Sequence, residues 1–536
     1  MGDAQCTIAV VGLGVLGLVT VKNLLEEGFD VTGFDREPFV GGLWHYTEDD
    51  RTSVLPTATI INISKERGCF TDFPFPEDTP SHCTAGHVQQ YLESYIEHFK
   101  LAPHLRLSTS VKRVSRDNVA NKWVVDIDGA GSEYFDKVII ATGINSSPHV
   151  PKLEGVEAFE GKCLHSRAFK RPEQFKGQKV VVVGLGNTGA DTSVSLVGQA
   201  DKVYLSHNHG AIIMPRTVNG GIPIDHTLTS RMTKIQSLLE YYLPSVYEMV
   251  FNAALKKIQN ANFKLKPEWK VYPAPSLKHA VPIISDNLVA NLESGAVQSV
   301  AGIKRVVGPH ELELDDGTRL EGIDTIIWAT GYRTSFSVLD PEVDPTRHTT
   351  PRWAAAKGSR GKPLPRLYQN VISLDHPDSL AFMGCGAFAT GAFPLNDVAS
   401  MALAQVWKGA SPLPPRGEME RAVDRQHEFV CGVAESGSAV PGWVRQHEWM
   451  AWANAAAGTG VDEYLGWTLA GWKFWYRDRE FCRLLVDGIY TPHLFRVFET
   501  GKRKTWEGAR TEIERVNRAV AAARAARDKK AKAKTV

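Results

Sequence analysis

The fold is decided first by the stretch Thr7-Ile8-Ala9-Val10-Val11-Gly12-Leu13-Gly14-Val15-Leu16-Gly17. Its largely apolar and β-branched start predicts a strand buried on both faces, and its three glycines at GxGxxG spacing predict a tight turn into a helix. A second strand is expected at Val31 to Phe34. The stretch and the residues after it therefore predict a βαβ unit.

The same turn indicates a dinucleotide-binding site. Gly12 permits the sharp turn, Gly14 lets the main chain touch a pyrophosphate, and Gly17 lets the helix pack closely on the strand. Free N–H groups at the helix N-terminus favour the pyrophosphate, and Asp35, after the second strand, offers a carboxylate to a ribose diol. The predicted contacts of this unit are Gly12, Leu13, Gly14, Val15, Leu16, Gly17 and Asp35.

A second copy of the pattern begins near residue 179. Lys179 to Val183 predicts a buried strand, Gly184 to Gly189 repeats the glycine spacing, Ala190 to Val197 predicts a helix, and Lys202 to Ser206 predicts the next strand. Two such units in one chain imply electron transfer between two cofactors. The predicted contacts of the second unit are Gly184, Gly186, Asn187, Thr188, Gly189, Ala190 and Asp191.

The residues that end the second copy leave its phosphate preference open. Ser206-His207-Asn208-His209 contains no carboxylate that would repel a 2′-phosphate and no arginine that would grip one. His207 and His209 would assist a phosphate only when protonated. Arg216 is the nearest arginine downstream and is predicted to contact the cofactor.

Two similar strands, at 136–143 and 324–332, each end in a turn of small residues. A backbone can approach a ligand closely at such turns, so Thr142 and Thr330 are predicted cofactor contacts. The most economical fold is α/β, with two Rossmann-like dinucleotide-binding domains, the second inserted in the first, and a helical C-terminal extension. The predicted segments are 1–156 and 326–410 for the first domain, 157–325 for the second, and 411–536 for the extension.

The rest of the chain carries weaker signals. Residues 341–366 are rich in Pro, Arg and Gly and predict a surface loop, and 411–417 predicts a Pro-rich linker. The extension looks helical and Trp-rich, and near its end Ile513, Val516 and Val520 share one helical face. A basic tail follows, which predicts a solvated helix end or a weak contact with an acidic surface.

Composition excludes several classes of protein. The 536 residues exceed the roughly 250–300 at which one core usually splits, so two or three domains are expected. Lys plus Arg number 61 against 60 for Asp plus Glu, a balance that excludes a typical nucleic-acid binder. The seven cysteines form no CxxC pair, and we expect no metal site. With no apolar run of about 18 residues and no secretory signal pattern, we expect no membrane span and a cytoplasmic location.

Four elements resemble those of one flavoprotein family. They are the GGxW-like Gly41-Gly42-Leu43-Trp44, the FxGxxxHxxx(Y/F) fingerprint at 159–169, the GxGNSGxD-like run 184–191, and the ATGY run at 329–332. Over residues 5–410 the chain resembles class B flavoprotein monooxygenases, specifically the flavin-containing monooxygenases that oxygenate soft nitrogen or sulfur. The resemblance implies FAD in the first unit, NADP(H) in the second with NADH use open, and flavin contacts at Gly42, Leu43 and Trp44.

A fifth element supplies the candidate catalytic residue. Asn62-Ile63-Ser64-Lys65, with the run 70–74 after it, resembles the family's Asn-x-Ser-Lys segment and the FSDFP run that follows. In that family the asparagine lies against the flavin and the nicotinamide ribose. The resemblance therefore implies Asn62 as the catalytic residue, with Ile61 and Ile63 as cofactor contacts. An amide suits this role because it is a neutral hydrogen-bond donor.

Single positions refine the resemblance. Phe169 stands where the related Baeyer–Villiger enzymes carry tryptophan, which favours oxygenation of nitrogen or sulfur. Asn208 and His209 replace two arginines that are usual in the family, and Leu395-Asn396-Asp397 replaces its Pro-x-x-E-x-Q carboxylate. His165 is expected at a domain contact or hinge.

The resemblance also implies a reaction. The nicotinamide reduces FAD, the reduced flavin forms a C4a-hydroperoxide with O2, and a small-molecule amine or thioether takes the distal oxygen. A Baeyer–Villiger monooxygenase acting on a ketone and a non-catalytic flavin-binding redox sensor remain alternatives. The cysteine spacing disfavours a pyridine nucleotide:disulfide oxidoreductase. A homodimer stays open.

Overall fold

The computed structural model describes residues 6–55, 58–218, 221–388 and 390–535, except the side chains of 528–535. The start of the first predicted domain and the lysine side chains of the basic tail lie outside this description. Within the described residues the strands, in chain order, are β1 Thr7–Val11, β2 Asp30–Phe34, β3 Leu105–Arg106, β4 Val111–Asp117, β5 Lys122–Ile127, β6 Gly131–Phe135, β7 Lys137–Ile140, β8 Ser147–Pro148, β9 Lys162–His165, β10 Lys179–Val183, β11 Lys202–Ser206, β12 Ile213–Met214, β13 Thr217–Val218, β14 Ile222–Pro223, β15 Ile283–Ile284, β16 Val297–Val300, β17 Ile303–Gly308, β18 Glu311–Leu314, β19 Arg319–Glu321, β20 Thr325–Trp328, β21 Tyr332–Arg333, β22 Leu367–Tyr368, β23 Ile372–Ser373 and β24 Leu380–Phe382.

The α-helices of the same residues are α1 Val15–Glu26, α2 Lys65–Gly68, α3 Ala85–His98, α4 Asn187–Leu196, α5 Ser230–Tyr242, α6 Pro244–Asn262, α7 Leu288–Glu293, α8 Pro351–Ala355, α9 Ala392–Trp407, α10 Arg416–Ser436, α11 Gln446–Ala457, α12 Val461–Tyr464, α13 Leu469–Arg477, α14 Arg479–Asp487 and α15 Ala509–Thr535. Short 3₁₀ turns connect several of them.

The first Rossmann-like unit is built on a seven-stranded sheet with the order β22-β23-β24-β7-β1-β2-β3. β1 pairs in parallel with β2 and β7, and β24 pairs in parallel with the other edge of β7. The central strands are buried on both faces, as their apolar sequences require. Because the sheet combines strands from before residue 157 and after residue 326, two separate parts of the chain form one unit.

The second unit is a five-stranded parallel sheet with the order β16-β11-β10-β20-β9. All five strands lie between the two parts of the first unit, so the predicted insertion and the predicted α/β fold are confirmed. β20 runs to Trp328, and the second sheet therefore continues past the limit of 325 expected from the sequence. Each unit also carries a three-stranded antiparallel sheet: β4-β5-β6 comes just before β7 in the chain, and β17-β18-β19 just before β20.

The helical extension packs into the first unit. α9 is buried along almost its whole length, between α1 on one side and α11 on the other. Trp449 of α11 is buried, and its indole Nε1 donates to Gln369 O at 3.0 Å. The apolar side chains of α1, α9 and α11 belong to one continuous core.

A buried ionic network joins the beginning of the chain to its end. Arg496, which is 1% exposed, lies 3.1 Å from Asp72 Oδ2 and 3.1 Å from Glu26 Oε2. Lys22 of α1 pairs with the same Asp72. Burial alone would raise the pKa of Asp72, but Arg496 and Lys22 outweigh burial and lower this pKa to about 2. The network holds the segment around Arg496 against α1.

The expectation of a surface loop over 341–366 is wrong. Pro351–Ala355 is a helix, and Trp353 is 1% exposed, packed in a cluster with Leu364 and Val430 of α10. The Trp353 indole donates to Lys362 O at 2.7 Å. The composition of the segment is typical of a loop, but α10 supplies an apolar surface that folds it.

The final helix buries the apolar face that its sequence predicts. Ile513, Val516 and Val520 are all buried, while most of the remaining described side chains of α15 face solvent. Arg524 Nη2 donates to His226 O at 2.7 Å, which ties the helix to the second unit. Among the described residues, no helix combines the length and apolar content that crossing a bilayer requires.

Candidate functional site

The first glycine turn is shaped by close backbone contacts. Gly12 has φ +102°, and a Cβ placed there would lie 2.6 Å from Ala141 O. A Cβ on Gly17 would lie 1.8 Å from Gly12 O, so the helix can pack on the turn only without a side chain. At Gly14 the nearest atom would be Gly42 Cα at 3.7 Å. The outer face of the turn thus has space for a ligand.

The second glycine turn repeats this geometry. Gly184 has φ +118°, with Ala329 O 2.5 Å from its notional Cβ, and a Cβ on Gly189 would meet Gly184 O at 1.9 Å. At Gly186, no atom of the described residues lies within 4 Å of such a Cβ. In both turns, therefore, main-chain oxygens crowd the first and third glycines, and the second glycine has open space around it.

Both turns fit the pyrophosphate of a dinucleotide. Gly14 and Gly186 are the N-caps of α1 and α4, and no described side chain caps either helix. The N–H groups of a first helical turn need acceptors, and phosphate oxygens supply them at the positive end of the helix dipole. Thr188, Ala190 and Asp191 lie in the first turns of α4, as Val15 and Leu16 do in α1.

The carboxylate of Asp35, which follows β2, accepts a hydrogen bond from the backbone of the first glycine turn. Asp35 Oδ2 accepts from Leu13 N at 2.7 Å and Oδ1 accepts from Glu37 N at 3.0 Å. Burial raises the pKa of Asp35, and both backbone donors oppose that rise. The predicted ribose contact would use the remaining lone pairs of this carboxylate.

The Gly41–Trp44 element lies directly against the same turn. Gly41 N donates to Leu13 O at 3.0 Å, and a Cβ on Gly42 would come within 3.1 Å of Gly14 Cα. Leu43 is exposed, and the Trp44 ring meets Phe393 edge to face at a centroid distance of 6.0 Å. The sequence-predicted flavin contacts of the first unit are thus close neighbours.

The strand-end turns approach the two glycine turns as expected. Ala141 and Ala329 supply the carbonyls that crowd Gly12 and Gly184. Thr142, which follows Ala141, is exposed, whereas Thr330 donates its hydroxyl hydrogen to His149 O. Thr330 is therefore engaged with the chain itself.

Asn62 lies where the two units meet. Its Oδ1 accepts a hydrogen bond from Arg216 Nη2 at 3.3 Å, across 154 residues of sequence. Arg216 is buried and also pairs with Asp286 Oδ2 at 3.3 Å. Ile61 N donates to Cys83 O at 2.8 Å, and Ile63 Cδ1 lies 3.4 Å from a notional Cβ on Gly391, just before α9. The sequence reasoning named Asn62 and Arg216 separately, and the structure brings them together.

The residues that follow β11 are held by contacts within the second unit. His207 is buried, with Nδ1 2.9 Å from His209 O and Nε2 2.8 Å from Ser299 Oγ. Burial lowers the pKa of His207. The sequence left open a phosphate contact by a protonated His207; burial disfavours the protonated ring, and both of its nitrogens have partners within the chain. Asn208 Oδ1 accepts from Gly302 N at 2.8 Å.

Two other predicted residues of the second unit lie near Arg216 and β15. Burial raises the pKa of Asp191 to about 6, and the charge of Arg216 opposes the rise. Asn187 Oδ1 accepts from Ile284 N at 2.8 Å, so its amide holds β15 against α4. The side chain of Asn187 is thereby engaged in the fold.

The fingerprint at 159–169 forms a joint between the units. His165 Nε2 lies 3.0 Å from Gly331 O, as expected for a domain contact. Arg167 donates to the carbonyls of Asp50, Arg51 and Ser146, the last two at 2.5 Å. Sequence reasoning missed Arg167, although it lies inside the quoted fingerprint, because its acceptors are main-chain groups with no sequence signal.

The carboxylate that departs from the family pattern is structural. Asp397 Oδ1 accepts from Asn23 Nδ2 at 2.8 Å, and Oδ2 accepts from Thr71 N at 2.8 Å. Burial raises the pKa of Asp397, and nearby Asp72 raises it further. The residue joins α9 to α1 beside the network of Arg496.

Comparisons with known proteins agree with this arrangement. The model of the family described as FMO-like, flavin-binding monooxygenase-like, matches residues 5–535. Monooxygenase aurF of Gibberella zeae is 46% identical over 516 residues, which cover 95% of this chain and 97% of that protein.

Solved structures share the fold. S-allyl-L-cysteine S-oxygenase from Allium sativum matches with a TM-score of 0.60 and 21% identity, covering 90% of this chain and 93% of that chain. Cyclohexanone monooxygenase from Rhodococcus sp. Phi1 bound to NADP+ matches with a TM-score of 0.60 and 18% identity, covering 86% and 99%. At these identities the likeness concerns the fold alone.

Proposed function

The chain belongs to the flavin-binding monooxygenase-like family, and from this premise we propose that it transfers one oxygen atom of O2 to a soft nitrogen or sulfur nucleophile. The substrate class would be a small-molecule amine or thioether, and the cofactors FAD and NADP(H), with NADH also usable. The observation that carries the proposal is the contact between Asn62 of the first unit and Arg216 of the second.

Each glycine turn has its own task. The turn at Gly12–Gly17 would hold the pyrophosphate of FAD, and the turn at Gly184–Gly189 that of the nicotinamide dinucleotide. With both groups bound, the flavin would supply the chemistry that activates O2, and the nicotinamide would supply the electrons. A solved cyclohexanone monooxygenase of the same fold is bound to NADP+, which supports a nicotinamide dinucleotide as one of the two cofactors.

Asn62 would orient the reacting atoms. Because Arg216 engages the amide oxygen of Asn62, the Nδ2 group stays available as a donor toward the cofactors. The half-buried position of Asn62 and the surrounding contacts restrict water, which protects a reactive oxygen species. The proposed role of Asn62 is thus to donate a hydrogen bond without offering an acidic proton.

The choice of nitrogen or sulfur over a ketone is supported by Phe169. This residue ends the fingerprint, is 3% exposed and packs against Phe175 at a ring distance of 5.5 Å. A product assay with a panel of amines, thioethers and ketones tests the choice. N-oxides, hydroxylamines or S-oxides would support it, and a lactone or ester from a ketone as the main product would overturn it.

Replacement of Asn62 tests the proposed mechanism. We expect Asn62→Ala to keep FAD bound, to oxidise NADPH, and to lose product by about tenfold or more while hydrogen peroxide rises, since a positioned donor contributes on that scale. The measurements are flavin absorbance, NADPH consumption, product and peroxide.

Asn118→Ala, at an exposed hairpin position, serves as the matched control and should leave all four quantities unchanged. Purified wild-type protein that cannot take up FAD would contradict the proposed function itself. Unchanged coupling in Asn62→Ala would contradict only the role of Asn62.

A further inference from the structure

A second set of contacts holds the loop that carries Asn62 against the second unit, which is called the nicotinamide unit below after its proposed cofactor. Asp225, in the turn Ile224–Thr227 after β14, presents Oδ2 to Ser64, the N-cap residue just before α2. Ser64 N donates to this oxygen at 2.8 Å and Ser64 Oγ donates to it at 2.9 Å. Ser64 is fully buried, so both hydrogen bonds are shielded from water. They span 161 residues of sequence.

Two neighbouring contacts reinforce this pair. Arg67 Nη1 donates to Asp225 O at 2.8 Å, and His226 Nε2 lies 3.1 Å from Glu66 Oε2. Burial would raise the pKa of Glu66, but His226 outweighs it and the pKa is lowered. Ser64, Arg67 and His226 are buried, and Glu66 and Asp225 are half-buried. The contacts thus form one latch, defined here as Ser64, Glu66 and Arg67 with Asp225 and His226.

The latch and the hydrogen bond between Arg216 and Asn62 hold the same short loop. Asn62 is two residues before Ser64, and Arg216 leads through β13 and β14 to Asp225. The nicotinamide unit therefore grips the loop at both ends, through Arg216 at Asn62 and through Asp225 at Ser64. A shift of that unit would pull the loop and turn the amide of Asn62.

We propose that Asp225 is a positioning residue that couples the seating of the nicotinamide unit to the aim of the Asn62 amide; the proposal rests on the proposed function. With the latch closed, substrate, O2, NAD(P)H and a proton give oxygenated substrate, water and NAD(P)+. With the latch open, O2, NAD(P)H and a proton give hydrogen peroxide and NAD(P)+. Asp225 thereby determines whether the protein forms oxygenated substrate or hydrogen peroxide.

The structure supplies a matched pair of variants. Asp225 Oδ1 is buried and has no hydrogen-bond partner among the described residues, whereas Oδ2 carries both contacts to Ser64. Asp225→Asn keeps an oxygen that can accept both hydrogen bonds and puts the amide nitrogen at the unpartnered position. Asp225→Ala removes the acceptor altogether. Asp201→Ala, at an exposed position in the second unit, is the control.

The test combines hydrogen–deuterium exchange of residues 62–69 in the FAD-loaded protein with the peroxide formed per NADPH consumed. In Asp225→Ala we expect exchange to rise by about tenfold or more, because buried hydrogen bonds to a carboxylate are lost. The peroxide fraction should rise with it while NADPH consumption stays within about twofold. Asp225→Asn should restore both quantities, and Asp201→Ala should match wild type.

Unchanged exchange in Asp225→Ala would overturn the latch, and faster exchange without more peroxide would overturn the positioning role. Asp225→Asn leaking as much as Asp225→Ala would also overturn it. If Asp225→Ala does not fold, Ser64→Ala removes the hydroxyl contact alone, and wild-type exchange and coupling in that variant overturn the proposal. Wild-type protein that consumes no NAD(P)H would instead refute the proposed function and leave the exchange comparison valid.

Discussion

At the scale of single residues, some glycines of the two turns are required for packing and others leave space for a ligand. Gly17 and Gly189 are required by the fold, because a Cβ on either would lie within 1.9 Å of a main-chain oxygen. Gly14 and Gly186 have no such neighbour, so the protein itself would accept a methyl group there. What these two positions keep clear is the space in front of a helix N-terminus.

The different surroundings of Gly186 and Gly189 predict that substitution of one weakens NADPH binding and substitution of the other lowers stability. Gly189→Ala should destabilise the protein by about 3 kcal/mol or more, because backbone must move to admit the methyl group. Gly186→Ala, whose backbone is extended at φ −124°, should unfold like wild type yet bind NADPH at least about tenfold more weakly. Urea unfolding and a nicotinamide titration of the FAD-loaded protein measure the two effects.

Gly432→Ala, inside α10 with no described atom within 4 Å of its notional Cβ, is the control. It should stabilise the protein by about 0.5–1 kcal/mol, the helix preference for alanine over glycine. Wild-type NADPH affinity in Gly186→Ala would contradict the assignment of the second turn.

Single residues also show where sequence reasoning ends. The roles of Gly17 and Gly189 could be predicted because each packs against the glycine five residues before it. The state of His207 could not, because its partner Ser299 is 92 residues away. Arg216 was predicted as a cofactor contact, and its pairing with Asp286, 70 residues on, had no signal. Partners at such separations come from the topology of the second unit.

At the scale of elements, the network around Arg496 holds the 3₁₀ turn Pro492–Arg496 against α1. Its guanidinium faces Asp72 and Glu26, and Nη2 also donates to Asn23 Oδ1 at 2.9 Å. A charge buried to this degree is tolerated only when its partners remain, since an unpaired buried ion is costly. Each charged residue of this network therefore requires its partners to remain in place.

Arg496→Met should destabilise the protein by about 3–5 kcal/mol, because it leaves Asp72 buried with Lys22 as its remaining cation. The pKa of Asp72 is lowered from 3.8 to about 2, so its stabilising contribution is present above pH 3.8 and is lost as the pH falls through about 2. The cost of the substitution should accordingly shrink in acid. Urea unfolding at pH 7 and pH 3 measures this.

Arg518→Met, at an arginine that is 70% exposed, is the matched control and should change stability by less than about 0.5 kcal/mol. An equal, small effect of both substitutions would mean that the network contributes nothing to the free energy of unfolding.

Elements were predicted best where their pattern is self-contained. β10 and β11 have the bounds expected from the sequence, whereas α4 begins at Asn187, three residues before the expected Ala190. α8 was missed, because Pro, Arg and Gly around it favour a loop and its burial depends on α10, which follows later in the chain. Local composition cannot report a surface that another element provides.

At the scale of the whole molecule, the family resemblance is confirmed and extends further than the sequence motifs do. The resemblance seen in the sequence ends near residue 410, whereas the family model continues to residue 535. The structure gives a physical reason, since α11 lies along α9 and shares its core with α1. The extension had few motifs because it contributes packing, which many sequences satisfy.

A chain ending at residue 410 should therefore fail to accumulate as a soluble flavoprotein. Removing α11 exposes the apolar side of α9 and leaves Gln369 O without the Trp449 indole. Exposed apolar surface costs about 25 cal/mol per Å², and a folded domain is favoured by only about 5–15 kcal/mol. Soluble yield and flavin absorbance measure the outcome, and co-expression of 411–536 should restore part of both.

Removal of residues 528–536 alone is the control, because Ile513, Val516 and Val520 remain to hold α15. That shorter chain should retain full flavin content. A stable, yellow protein ending at residue 410 would show that the extension is a separate module.

The order in which the chain is synthesised gives the Arg496 network a further consequence. Arg496 follows Glu26 by 470 residues, and ribosomes add roughly 5–20 residues per second, so Lys22 and Asp72 wait about 20–90 s for their partner. Until Arg496 emerges, Asp72 cannot leave water at an acceptable cost. We expect the amino-terminal unit to be completed last, by the carboxyl-terminal segment, and a nascent chain stalled before residue 496 to present an unfinished surface to proteases.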